Sequence, residues 1–359
     1  MNLDKNFDIK TPQVEGVKWH NVLHSKEMKQ YGFFWQENNG FNRLPESKED
    51  ELNLVCPNSV RLGKNTSGGQ IHFRTNSKKL LLHATVDNLN SVSGMTSVAS
   101  IGFDCYVGKT FDDLKFYNTS THDITKKTYT STLFTGNQDE VLVVINFPLY
   151  VGVKNLSIGI DSDSYIKPNQ TFDDSKRIIV YGTSITQGGC ASRPGLSYPN
   201  QLSRKLKREF LNFGFSGNAF GEIELIEVLS EVTPASMFII DYEANSGTNG
   251  KLEKTLEDMI IMVRSKQPNI TILVVSRIPY LFEDIFTQLG EKRNKLREFQ
   301  RNIVKKFNEQ GDDNIHFVDG SKFFGENYHE YTVDSIHPND LGFSKIVESL
   351  ESHITRYIK

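Results

Sequence analysis

Cysteine is scarce in this chain. Three occur among 359 residues, Cys56, Cys105 and Cys190, an odd number without paired spacing. That excludes a disulfide framework and a cysteine-based metal site. An apolar run of about 18 residues, the length a membrane-crossing helix needs, is also missing. The opening residues Met1-Asn2-Leu3-Asp4-Lys5-Asn6-Phe7-Asp8 lack the basic start and apolar stretch of a secretory signal, so the expected location is cytoplasmic. Charge of one sign is not in excess either. Lys plus Arg number 41 against 44 Asp plus Glu, a net of −3, which leaves no footprint for nucleic acid or for an anionic membrane surface. No internal repeat or low-complexity tract is present.

What is there is the composition of a globular protein, 37% hydrophobic and 24% charged, at a length that favours two domains. The first half has period two. Gln70–Thr75 and Lys79–Val86 alternate across an Asn76-Ser77 turn and read as a hairpin. Ile101–Val107, Val141–Ile145 and Val151–Ile160 are also strand-like, and Gly, Asn and Ser turns separate them. Short strands with such punctuation predict an antiparallel β-sandwich over residues 1–165. A polar, turn-rich linker follows at about 161–175. Beyond it, apolar strands Ile178–Tyr181, Met237–Ile240 and Ile270–Val275 alternate with helical stretches near Tyr198–Phe210, Ile223–Val232, Leu252–Ser265, Glu291–Glu309 and Leu341–Tyr357. Alternating βα units predict a parallel sheet layered by helices over 176–359.

The chemistry-bearing residues cluster in that second part. Ile178 to Tyr181 runs into Gly182, whose tight exit lifts Ser184 clear of the strand. Ser184 is then either a nucleophile or only the cap of the following helix. Asp334 precedes His337 by three residues, close enough for the carboxylate to fix one imidazole nitrogen while the other receives a hydroxyl proton. Between them, Asn212-Phe213-Gly214-Phe215-Ser216-Gly217 breaks from an apolar piece into small residues whose N–H groups can enter a site, and Phe238 to Asp241 leads to Asn245, whose amide can donate to an oxyanion. Ligands of open parallel sheets collect at the carboxyl ends of strands, so these segments converge on one cleft.

Together the segments resemble the SGNH (GDSL-type) hydrolases. Gly182-Thr183-Ser184-Ile185-Thr186-Gln187-Gly188 looks like the first block, with Thr183 where many members have Asp; Ser216-Gly217-Asn218 resembles the second; Asn245 stands at the asparagine of the third; Asp334 and His337 match the fifth. The chain departs from the pattern at Glu243-Ala244, where a glycine usually precedes the asparagine. In the front half, Leu44-Pro45-Glu46, Val60-Arg61-Leu62, Ser67 to Thr75 and Phe147-Pro148-Leu149-Tyr150 resemble the β-sandwich domain that precedes the hydrolase in one subgroup, whose members include acyl-ester hydrolases and an acyltransferase. The resemblance implies a three-layer α/β/α flavodoxin-like catalytic domain with a parallel sheet, preceded by a jelly-roll-like sandwich. It implies a Ser184-His337-Asp334 triad, an oxyanion hole from the N–H groups of Ser184 and Gly217 and the Asn245 side chain, and neither metal nor cofactor. The expected activity is hydrolysis of small O-acyl esters, acetyl esters of a carbohydrate or glycoside first. The alternatives are acyl transfer to a hydroxyl acceptor and a lipase or lysophospholipase. The front domain either binds carbohydrate or walls the cleft.

Arg193, in Ser192-Arg193-Pro194-Gly195, is read as a substrate contact or as a loop anchor paired with a carboxylate such as Glu243, itself a second candidate substrate contact. Cys190 has no base of its own and reads as a small buried apolar residue. His20 and His24 have the spacing of a helical metal pair but no third ligand. His72 and His83 read as surface or cross-strand residues, and His316 and His329 lack an upstream aspartate at the right spacing. Tyr31-Gly32-Phe33-Phe34-Trp35 reads as core or as a sugar subsite.

Overall fold

A computed structural model describes residues 11–36, 40–90, 92–136, 139–169, 172–173, 176–247 and 249–358. The front half consists of two antiparallel sheets. One orders the strands β1 (Val17–Asn21), β9 (Val153–Asp161), β4 (Lys79–Val86) and β7 (Thr128–Thr135); the other orders β10 (Ile166–Pro168), β3 (Gln70–Thr75), β8 (Val141–Asn146), β5 (Asp104–Gly108) and β6 (Lys115–Thr119), with β2 (Lys29–Tyr31) also on β3. Inward-facing Ile71, Phe73, Leu80, Leu82, Ile145 and Ile158 from both sheets form one core. The architecture is the expected sandwich.

Its internal pairing differs from the sequence reading at one point. β3 and β4 do not form a hairpin: β3 pairs with β8 and β4 with β9 and β7, so the short link between them crosses from sheet to sheet. Asn76-Ser77-Lys78 offers no left-handed residue for a tight two-residue hairpin turn. The crossing is stitched to β9 instead, where Asp161 Oδ2 accepts from the N–H groups of Lys78 and Lys79 at 2.9 and 3.0 Å and from the Ser77 hydroxyl at 3.0 Å. Two further departures are smaller. Residues 97–101 form a short helix before β5, and Ile166–Pro168, within the polar 161–175 stretch, pairs with β3.

In the second half a five-stranded parallel sheet orders β12 (Phe210–Gly214), β11 (Arg177–Gly182), β13 (Ala235–Asp241), β14 (Thr271–Val275) and β15 (Ile315–Val318). Alternate residues of β11 enter opposite layers. Ile179 and Tyr181 join the core under helices Ile223–Ser230, Leu252–Lys266 and Thr287–Glu309, while Ile178 and Val180 join that under Tyr198–Leu206 and Asp340–Tyr357. Burial on both faces explains the unbroken apolar run of this strand. The chain passes from β11 to one neighbour, β12, and then returns to its other side as β13. Ser184 therefore emerges where the strand order reverses, the position at which open α/β sheets form a crevice. No described helix is long and apolar enough to cross a membrane.

Candidate active site

Gly182 ends β11 in a place that admits no side chain: a Cβ there would lie 2.7 Å from the Asp241 carbonyl oxygen. Thr183 follows as the cap of helix Ser184–Gln187, its hydroxyl accepting the Ile185 N–H at 3.3 Å. The capping role thus falls to Thr183, and the Ser184 hydroxyl is left for other work. It lies 2.8 Å from His337 Nε2. On the far side of the ring, Nδ1 lies 2.7 Å from Asp334 Oδ2. With Nδ1–H donating to the carboxylate, Nε2 is the acceptor facing the serine, a tautomer assigned from this network.

The turn that carries Asp334 and His337 holds itself together. Asp334 Oδ1 accepts the main-chain N–H groups of His337 at 2.7 Å and Ile336 at 3.1 Å, and Ser335 between them sits at φ 72°. Burial pushes the Asp334 carboxyl upward, but the N–H and ring donors of His337 outweigh it and the group stays below its ordinary value. Asp334 is thereby kept as an anion beside the imidazole.

Gly217 sits at φ 70° in the turn after β12, and a Cβ built on it would meet nothing within 4 Å. Asn245 lies in the short helix Glu243–Ser246, with its Oδ1 accepting the Ala219 N–H at 3.2 Å. That bond links the turn after β12 to the turn after β13.

The two polar residues beside these segments are engaged inside the protein. Glu243 is 1% exposed, and its Oε2 accepts the Arg277 N–H at 2.9 Å and the Gln300 amide at 2.8 Å. Glu243 is therefore an anchor, tying the Asn245 helix to the end of β14, and the expected substrate contact from Glu243 is not what these bonds support. Arg193 does not pair with Glu243. Its Nη1 donates to Asp104 Oδ2 at 2.8 Å and to the Tyr106 hydroxyl at 2.5 Å, both on β5 of the sandwich. Asp104 also accepts the Gly195 N–H at 2.8 Å and the Asn146 amide at 2.6 Å, so the loop after helix Ser184–Gln187 is clamped to the front half.

Cys190 is buried as expected, and burial together with Asp334 pushes its thiol up to about 11. Its sulfur and ligand atoms of Asp334 and His337 lie within 4.8 Å of one another. His337 already commits one ring nitrogen to Ser184 and the other to Asp334, and the thiol stays protonated at neutral pH, so the donor set suits proton transfer better than metal ligation. His20 lies in β1, so it has no helical pairing with His24. His72 is fully buried against Gln70 and His83 meets Thr130 across the sheet. Of the aromatic cluster, Tyr31 and Phe33 are core, and Trp35 packs on Phe213 at 5.9 Å between ring centroids.

Tyr150 is a neighbour of the site that the sequence reading missed. A Cβ on Gly189 would lie 2.8 Å from the Tyr150 hydroxyl and 3.4 Å from His337 Cδ2, so Gly189 keeps open the seam between the sandwich and the histidine. Gly94 of the sandwich lies against Cys190 and Val333 in the same way. The front half walls the cleft on this side.

The profile of the GDSL-like lipase/acylhydrolase family matches residues 175–355, and that of the N-terminal part of SGNH-hydrolase-type esterases matches residues 17–166. No curated protein matches the chain. Among solved structures, a GDSL-like lipase from Bacteroides ovatus shares 29% identity at a TM-score of 0.86, covering 96% of this chain and 99% of its own. A salicylyl-acyltransferase from a tetracycline biosynthetic pathway superposes at 0.79 with 16% identity, covering 96% and 98%. An acetyl xylan esterase from the rumen bacterium Butyrivibrio proteoclasticus superposes at 0.56 with 12% identity, covering 94% and 98%. A sandwich fused to a parallel sheet, a serine at the point where strand order reverses and the two matched profiles lead to one conclusion: the chain belongs to the GDSL-like lipase/acylhydrolase family of serine hydrolases.

Proposed function

We propose that the protein is a serine esterase that removes small O-acyl groups, acetyl above all, from a carbohydrate or glycoside through a covalent intermediate on Ser184. The observation that carries this reading is the unbroken relay from Ser184 Oγ to His337 at 2.8 Å and from His337 to Asp334 at 2.7 Å.

In this mechanism Ser184 Oγ attacks the ester carbonyl as His337 Nε2 takes its proton, and Asp334 stabilises the imidazolium. The oxyanion is held by the N–H groups of Ser184 and Gly217 and by Asn245 Nδ2, the end of the amide turned away from its bond with Ala219. The tetrahedral adduct collapses, the C–O bond to the alcohol breaks, and His337 returns the proton to the departing alkoxide. Water, deprotonated by His337, then releases the acyl group as the free acid.

The carbohydrate acetyl ester is supported by fold-level neighbours such as the acetyl xylan esterase, a likeness of fold at 12% identity. A second reading, transfer of the acyl group to a hydroxyl acceptor, is supported by the fuller superposition on the salicylyl-acyltransferase. It differs only in which oxygen attacks the acyl-enzyme. Initial rates on acetyl, butyryl and octanoyl p-nitrophenyl esters, with and without a sugar alcohol, and acetate release from acetylated xylo- and manno-oligosaccharides separate the readings. The esterase reading expects the acetyl ester to turn over fastest and free acetate to appear from the sugars. Octanoyl preference would favour a lipase, and an acylated acceptor without free acid would favour the transferase.

A further inference from the structure

Arg43 belongs to the front half, yet its guanidinium bonds both halves. It is 1% exposed and its four side-chain bonds end on main-chain carbonyls: Nε to Asn65 at 2.8 Å, Nη2 to Leu62 at 2.6 Å, and Nη1 to Asn212 at 2.7 Å and Gly214 at 2.8 Å. Asn212 and Gly214 lie on β12, the edge of the parallel sheet, whose outer side has no neighbouring strand to bond among the described residues. Arg43 takes that strand's place, two carbonyls at a time. Its guanidinium carbon also stands 5.2 Å from the centre of the Phe215 ring, the next residue along. A buried cation with no carboxylate partner among the described residues is expensive, and burial holds Arg43 down at about 9. A strand edge alone could be capped more cheaply.

Gly214 leads directly into the turn that contains Gly217. There a second side chain reaches across the same boundary. Gln187, the last residue of the nucleophile helix, is fully buried; its Oε1 accepts the Ser216 N–H at 3.0 Å while its Nε2 donates to the Leu149 carbonyl of the sandwich at 3.0 Å. Its own carbonyl accepts the Ser67 hydroxyl at 2.5 Å, and Ser67 accepts from the Asn212 amide at 3.0 Å. Gly68 permits this approach, since a Cβ there would lie 2.6 Å from Asn212 Cβ.

We propose that Arg43 and Gln187 are positioning residues for the oxyanion-binding turn, so that the sandwich domain sets the geometry of catalysis rather than serving only as a wall or a separate binding module. The proposal rests on the assignment of the Gly217 N–H to the oxyanion hole. Neither residue touches substrate. Both fix the peptide planes that lead into Gly217, and a donor that is free to swing stabilises the transition state less than one held in place.

The test compares the full-length protein with Gln187→Met, Arg43→Met and Arg43→Lys, each first shown to be folded by its thermal unfolding. Amide hydrogen exchange is followed at residues 214–218 and at β11, alongside kcat and KM on p-nitrophenyl acetate and the Ki of a boronic acid that forms a tetrahedral adduct on the serine. Gln187→Met and Arg43→Met should raise exchange in the turn by about tenfold or more while β11 is unchanged. They should also lower kcat by about 10- to 100-fold and weaken the boronic acid in parallel, with KM within about twofold. Arg43→Lys, which keeps the charge and part of the donor set, should fall between. Should Arg43→Met fail to fold, Gln187→Met carries the test alone. Unchanged exchange in the turn would overturn the positioning role. Faster exchange with unchanged kcat and Ki would show instead that the turn is no part of the oxyanion hole, and so would overturn the assignment beneath it.

Discussion

Asn245 Oδ1 accepts the Ala219 N–H at 3.2 Å, so the asparagine in the turn after β13 is oriented by the turn after β12. The bond commits the oxygen end of the amide to that turn. In the proposed mechanism Nδ2 is therefore the end that donates to the oxyanion, and Asn245→Ala removes that donor. Turnover of p-nitrophenyl acetate should fall by on the order of 100-fold with KM little changed. A parallel thermal melt should show a near-native protein.

Glu243, two residues before Asn245, anchors the helix on which Asn245 rides. Its carboxylate is fully buried between Arg277, whose Nε lies 3.3 Å away, and Gln300. Removing one member of a buried pair leaves the other uncompensated, so Glu243→Ala should destabilise the fold by about 3–5 kcal/mol in urea unfolding. Activity per folded molecule should drop as well, because the Asn245 helix loses its tether.

Asp241, at the end of β13, accepts the Tyr198 hydroxyl at 2.9 Å and the Thr186 hydroxyl at 3.2 Å beneath the nucleophile helix. Burial pushes its carboxyl up to about 7. An acid whose pKa is higher in the folded state than in the unfolded one binds its proton more tightly when folded. Its contribution is therefore complete below the unfolded value near 4 and is lost as pH rises towards 7. Asp241→Asn mimics the protonated form, so its Tm relative to the wild type should climb between pH 4 and 7 and level off above. A constant difference across that window would contradict the buried-acid assignment.

Arg193 and Asp104 join the two halves across the loop that follows helix Ser184–Gln187, with Asp104 fully buried and the Arg193 guanidinium 3.9 Å from the centre of the Phe116 ring. Arg193→Ala leaves the carboxylate, among the described residues, with the Gly195 N–H and the Asn146 amide as partners. A loss of about 3 kcal/mol in thermal or urea unfolding is expected. Asp104→Asn in the Arg193→Ala background should recover part of it, since no uncompensated charge then remains.

These relationships mark where the sequence is readable. Ser184 stands out because the apolar run of β11 is local and Gly182 is local, and Asp334 with His337 because three residues suffice to build their turn. Sheet membership is not local: β3 and β4 have strand-like patterns but belong to opposite sheets, and nothing in Asn76-Ser77-Lys78 says so. β15 escapes a reading by pattern because Ile315-His316-Phe317-Val318 is short and carries a polar residue. The partners of Arg193 and Arg43 are out of reach for the same reason, lying 89 residues upstream at Asp104 and 169 residues downstream at Asn212. A buried arginine whose bonds end on carbonyls leaves no charge pattern to read.

The most direct measurement is the steady-state hydrolysis of p-nitrophenyl acetate by the wild type and by Ser184→Ala, with intact-protein mass recorded during turnover. The wild type should hydrolyse the ester and show a transient mass increase of one acetyl group located on Ser184, while Ser184→Ala, folded to the same degree, should show neither. Equal rates in the two proteins, or an acetyl group carried elsewhere, would contradict the acyl-serine route.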